Sequence, residues 1–225
     1  MFSFSPVSIN TWSRGYSRQH KFNGRQVSMS GGSAVASSGS VVQFEDGKKK
    51  RLMLGVVQSS ESKGKKGFVY HIADAANRKH DVPSKALQIV LPPSPTTKPG
   101  ATVSEILADY LAVAECSPTE LGVDIDMLEL AWEVCESEEV PSHTAESIMN
   151  QIDDSLFKTS LQQYKAFRLL SSDLGNIFFN VLHEHDISHR EYKAKSAASV
   201  ADNKVNWCKA VEEGVHVGSD EWCFV

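Results

Sequence analysis

Between Ser40 and Leu91 the chain alternates apolar and polar residues in short runs, SVVQFE, KRLMLGVVQSS, KGFVYHIAD and ALQIVLP, rich in Val, Ile and Phe. Polar breaks at Asp46-Gly47, Ser59 to Gly67 and Ala75 to Ser84 divide them. This period-two pattern predicts four or five short strands forming a small β-barrel, SH3-like or OB-like. Leu91 to Gly100, LPPSPTTKPG, holds four prolines and a glycine, which continue neither strand nor helix, and marks a linker at 92–100.

Beyond the linker the period becomes helical. Val103, Ile106, Leu107, Tyr110, Leu111 and Ala114 recur on one face, with Thr102 or Ser104 placed to cap them and Pro118 to stop them. Ile125, Leu128, Ala131, Trp132 and Cys135 form a second stripe behind Asp124, and Ala145, Ile148, Met149 and Ile152 a third, with Ser142 as the expected cap. Ser160 to Ser171 carries Leu161, Tyr164, Phe167 and Leu170. Asn176 to Leu182 then reads as a strand and His183 to Tyr192 as the turn and return of a hairpin. A last helical pattern runs from Ala197 to Glu213. Helices followed by an apolar strand and a hairpin are the order of a winged helix-turn-helix. The fold class expected is α+β: residues 1–40 a leader, 41–91 a basic β-barrel, 101–213 the winged helix, 214–225 a tail.

Charge changes this picture more than composition does. The net charge is −5, but residues 1–44 hold four basic and no acidic side chains, 45–100 eleven basic against five acidic, and 101–225 eight basic against twenty-three acidic. A polyanion should therefore meet the front half first. Two clusters stand out in the barrel's turns: Lys48, Lys49, Lys50 and Arg51, and then Lys63, Lys65 and Lys66 beside two glycines. They serve either as a phosphate-binding rim or as solvated turns whose lysines keep a sheet edge soluble. Phe68 and Tyr70 share a face by alternation, available to stack a base or to fill a core. Lys165 and Arg168 on the third winged-helix helix raise the possibility of reading a DNA major groove, against which the −15 of residues 101–225 argues.

Residues 1–40 contain eleven serines, four basic residues and no acid, the composition of an organellar transit peptide rather than a secretory signal, with a disordered tail as the alternative. The apolar runs are too short to span a bilayer, so no membrane partner is expected. Cys116, Cys135, Cys208 and Cys223 are widely spaced, which excludes a zinc ribbon or a CxxC redox motif. His183, His185 and His189 lack a helical frame and a nearby cysteine for a zinc site, and Asp153-Asp154 lacks further acids for magnesium. No nucleophile elbow, Walker loop or Rossmann glycine pattern is present.

The segment LELAWEV at 128–134, the helix near Ser142, and above all Tyr164-x-Ala166-x-x-Leu169-Leu170-Ser171-x-Asp173 followed by Ile177-Phe178-Phe179 resemble the N-terminal winged-helix region of the ribonuclease II family, in its cyanobacterial and plastid branch. In that branch a basic β-module precedes the helices, as Val42-x-Phe44 and Lys50-Arg51-Leu52 to Val57 do here. The resemblance covers about 40–213. It implies processive 3′-to-5′ exoribonuclease activity on organellar messengers and ribosomal RNA ends, with magnesium held by aspartates of a later catalytic domain. No such aspartate cluster occurs in these 225 residues, so the expectation is a non-catalytic region without a cofactor of its own. Single-stranded RNA is its expected partner, bound by the seven basic residues, with organellar RNA-processing proteins as possible further partners. The chloroplast is the expected compartment and the mitochondrion the alternative. A protein-interaction module of an organellar complex and a DNA-binding regulator are the competing functions.

Overall fold

The computed structural model describes residues 36–46, 51–64, 67–94, 100–138, 140–182 and 190–213. The leader, apart from its last few residues, lies outside this set, as do the tail and the segment carrying His183, His185 and His189. Five antiparallel strands, β1 (Val41–Asp46), β2 (Arg51–Ser62), β3 (Phe68–Ala73), β4 (Lys79–Pro83) and β5 (Leu87–Leu91), form one sheet in the order β4-β3-β2-β1-β5. β4 and β5 are therefore its two edges, yet only a single 3-10 turn, Ser84–Ala86, connects them. In a flat sheet those edges would stand roughly 19 Å apart, and one such turn covers about 6 Å, so the sheet must curl. Four strands in hairpin order, closed by a short return to β1, favour the SH3-like arrangement over the Greek-key strand exchange of an OB barrel.

Alternation along β1 explains what holds the sheet in place. Val42 and Phe44 face inward with Val57, Tyr70, Ile72, Val82 and Leu87, a cluster to which all five strands contribute. Gly55, the register partner of Val42, sits over this interior, where an added Cβ would lie 2.3 Å from Cγ2 of Ile72. On the outer face Val41, Leu54, Val56, Ile89 and Leu91 join the same apolar cluster as the helices. β1 is thus buried on both faces, and sheet and helices share a core.

The helices begin at the residues whose side chains can satisfy free N–H groups. α1 (Val103–Glu115) starts with a capping box between Thr102 and Glu105, and α2 (Ile125–Ser137) is capped by Asp124. A two-residue strand, β6 (His143–Thr144), leads into α3 (Ala145–Ile152). The cap of α3 is Thr144, not the expected Ser142, because β6 occupies the intervening positions, and the Ser142 hydroxyl instead donates to the Glu191 carboxylate at 3.0 Å. After a 3-10 turn at Asp154–Phe157, α4 (Ser160–Leu170) begins with a Thr159–Gln162 capping box.

The expected strand over Asn176–Leu182 is half helix: α5 (Gly175–Phe178) precedes β7 (Phe179–Val181). Ile177, Phe178 and Phe179 are all buried, and a fully buried apolar run carries no period that separates strand from helix. β8 (Glu191–Ala194) pairs with β7 and β6 to complete the wing sheet, and α6 (Ala197–Glu212) closes the domain. Trp132 is a core anchor: it lies 6.1 Å from the Phe178 ring and its Nε1 donates to the Lys195 carbonyl at 2.8 Å. Trp207, also buried, fixes the inner face of α6.

Candidate nucleic-acid interface

Of the seven basic residues expected to contact phosphates, Arg51 and Lys63 are described, and Lys48, Lys49, Lys50, Lys65 and Lys66 lie outside the described residues. Arg51 opens β2 opposite Asp46, exposed, with no carboxylate at salt-bridge distance among the described residues. Lys63 follows the other end of β2, its Nζ 2.7 Å from the Glu61 carboxylate. That hydrogen bond and charge hold Glu61 below the ordinary carboxylate range, but an exposed pair is screened and yields readily to a phosphate. Gly64 and Gly67 both take positive φ, and the Gly67 N–H bonds back to the Gly64 carbonyl, which closes a tight turn after Lys63.

The length of β2 separates the two clusters. Twelve residues at about 3.3 Å each make roughly 40 Å of strand, somewhat less because the pairing shifts between Val57 and Ser59. Arg51 and Lys63 thus stand at opposite ends of the sheet and do not form one continuous rim. Tyr70 is unavailable to a base. It is buried in the inner cluster, its hydroxyl accepts the Ala36 N–H, and the half-buried Phe68 stacks against it at 6.4 Å.

At the Arg51 end a groove of about 470 Å³ opens between the sheet and α1. Its walls include Arg51, Leu52, Arg78, Leu111 and Arg168. Arg78 was not singled out by sequence because it sits in a segment legible only as a turn. The signal available was Asp74 four residues earlier, since a short acid at that spacing closes a turn on its own backbone. Asp74 is buried, and its carboxylate accepts from Ala76 N–H at 3.0 Å, Arg78 N–H at 2.9 Å, Arg78 Nε at 2.8 Å and His80 Nε2 at 3.1 Å. Burial alone would raise its pKa; the hydrogen bonds from Arg78 and His80 outweigh burial and lower it.

The third helix of the winged helix gives the opposite picture. No residue of α4 is exposed: six are buried and the other five, Lys165 and Arg168 among them, are half-buried. Tyr164 donates to Gln43 Oε1 of β1 at 3.2 Å, tying α4 to the sheet. Arg168 Nη2 donates to the Ala114 carbonyl at 3.0 Å and reaches that of Cys116 at 3.5 Å, satisfying the C-terminus of α1. A helix with no exposed residue offers little surface to a major groove.

Asp153 and Cys135 have structural roles. Asp153, exposed, caps the turn after α3 by accepting the Ser155 N–H at 2.6 Å. Among the described residues no group of three His, Cys, Asp or Glu side chains is placed to hold a metal ion. Cys135 is buried, and burial pushes its thiol up to about 11, far from a reactive thiolate. Among the described residues no helix is long and apolar enough to cross a membrane.

Residues 115–199, from the end of α1 to the first three residues of α6, match the family model of the ribonuclease II winged helix domain. No curated protein and no solved structure matches the chain. The winged-helix assignment thus agrees between pattern, fold and family model, and supports a ribonuclease II-type N-terminal region.

Proposed function

We propose that this chain is the RNA-binding N-terminal portion of an organellar ribonuclease II-like 3′-to-5′ exoribonuclease, serving RNA processing and decay without carrying the catalytic step. The observation that carries the reading is the match of residues 115–199 to the ribonuclease II winged helix domain. The charge distribution supports it further. The sheet region, with eleven basic and five acidic residues, precedes an acidic helical region whose covered α4 is poorly suited to nucleic acid. RNA is held chiefly through phosphates by Lys48, Lys49, Lys50 and Arg51 at one end of β2 and Lys63, Lys65 and Lys66 at the other, with salt-sensitive and sequence-tolerant affinity. Magnesium and the aspartates that hold it belong, in this reading, to a nuclease domain elsewhere in the enzyme.

Replacing all seven basic residues by Ala should abolish binding to a fluorescent oligouridylate at low salt; affinity equal to that of the unaltered chain would remove the reading. The Ser- and Arg-rich leader supports import into the chloroplast, with the mitochondrion as the alternative. Residues 1–40 fused to a fluorescent reporter should enter the organelle, and a cytosolic signal would overturn that part.

One observation favours a second reading, a protein-interaction module of an organellar complex. Met127 and Leu130, 40% and 50% exposed, stand on the outer face of α2 beside Asp126 and Glu133. Replacing both by Glu should release a co-purifying partner under this reading and leave RNA affinity untouched under the first.

A further inference from the structure

We infer that the groove between the start of β2, the β3–β4 turn and the C-terminal half of α1 seats a nucleotide of the bound single-stranded RNA. Arg51 and Arg78 take its phosphate, and Leu52 and Leu111 form the floor under its base. The assignment rests on the RNA-binding reading above and adds to it a specific site and a residue, Arg78, outside both lysine clusters.

At about 470 Å³ the groove falls in the size range of small-ligand sites. Three arginines and two carboxylates, Asp74 and Glu115, line it. Asp74 is buried and already shared among four donors, which leaves little of its charge to oppose an anion. Its bond to Arg78 goes through Nε, so the Arg78 side chain, 70% exposed, is held by its inner nitrogen and presents its two terminal ones outward, the fork that binds phosphate oxygens in pairs. Arg51 has no carboxylate partner among the described residues, and the partners of Arg168 are backbone carbonyls that leave its charge uncompensated. Lys63, by contrast, is already paired with Glu61.

The floor completes the case for a nucleotide rather than a bare anion. Leu52 is 51% and Leu111 38% exposed, and both line this groove. An inorganic phosphate gains nothing from that surface, whereas a base covers it. No aromatic ring is exposed in the groove, since Tyr164 at its back is buried, so the base lies on aliphatic side chains and is held without preference for its identity.

The test uses the full chain, a fluorescein-labelled oligouridylate and anisotropy across a salt series, with Arg51→Ala, Arg78→Ala, Leu111→Glu and, as a control also exposed but on α6, Val205→Glu. Each arginine variant should lower the slope of log affinity against log salt by about one. Leu111→Glu should weaken binding several-fold with an unchanged melting temperature, and Val205→Glu should behave as the unaltered chain. A 4-thiouridine oligonucleotide should crosslink to the peptides containing residues 51–54 or 111–115. Binding that is lost in the seven-residue Ala variant but keeps its slope and strength in Arg78→Ala and Leu111→Glu, with crosslinks elsewhere, overturns the groove and leaves the RNA reading standing. Absence of oligouridylate binding by the unaltered chain overturns both.

Discussion

Two regions of this protein carry the marks of a nucleic-acid reader, and they differ in what they leave to solvent. α4 occupies the recognition-helix position of the winged helix, yet every residue on it is buried or half-buried, with Tyr164 bonded to Gln43 of β1 and Arg168 bonded to the end of α1. The sheet, by contrast, opens β2 with Arg51, exposed and unpaired among the described residues. The helix that identifies the fold has been used to build the core, while Arg51 on β2 stays open to solvent. Recognition of a fold by its helices therefore says little here about which surface works.

The shared core is the part of this contrast easiest to break. Tyr164→Ala removes a ring buried to 1% exposure and tilted against Tyr110 at 5.8 Å, and should cost about 3–5 kcal/mol, as other aromatic truncations do. Because the ring seals helices to sheet, far-UV circular dichroism and tryptophan fluorescence should still report one urea transition at a lower midpoint. Two separated transitions would mean that sheet and helices fold independently.

Gly55→Ala sharpens the comparison from the sheet side. The added Cβ meets Ile72 Cγ2 at 2.3 Å and the Ala73 carbonyl at 3.0 Å, so the inner cluster must shift, at roughly 1–3 kcal/mol. Equilibrium unfolding should show the loss in the same single transition, and a neutral result would mean that the curled sheet is looser than its geometry implies.

The smallest effect concerns the turn that holds Arg78. The native Asp74 carboxyl titrates below its ordinary value of 3.8, so the unfolded chain takes up its proton first as the solution is acidified. The stabilisation is complete above that ordinary value and is lost as pH falls through the lower native one. Asp74→Asn should be less stable at neutral pH and should flatten the acid limb of the stability curve, read from melting temperatures between pH 5 and the acid range. An acid limb identical to that of the unaltered chain would assign the acid sensitivity to other carboxylates.

Much of the fold was legible because its signals are local. α1, α2, α4 and α6 begin next to Thr102, Asp124, Thr159 and Ser196, short polar residues followed by apolar residues at helical spacing. The strands alternate, and Asp46 and the Gly64–Gly67 segment mark their turns. What sequence did not reveal depends on partners distant in the chain. The covering of α4 requires Gln43, 121 residues from Tyr164, and no stripe along one helix tells which neighbour hides its other face. The cap of α3 moved from Ser142 to Thr144 because β6 pairs with β8, itself formed nearly fifty residues later. Arg78 became visible once the β3–β4 turn was seen folded beside β2 and α1. The separation of Arg51 and Lys63, one from each basic cluster, depends on the length of β2, which the alternation alone did not give.

The central claim is that RNA meets the basic ends of the sheet and not α4. Its most direct test is one salt titration of oligouridylate affinity with three proteins: the unaltered chain, the variant with Lys48, Lys49, Lys50, Arg51, Lys63, Lys65 and Lys66 replaced by Ala, and Lys165→Ala on α4. The account predicts that the first and third share affinity and slope while the second loses binding. Loss of affinity in Lys165→Ala with binding retained in the sevenfold variant would contradict it.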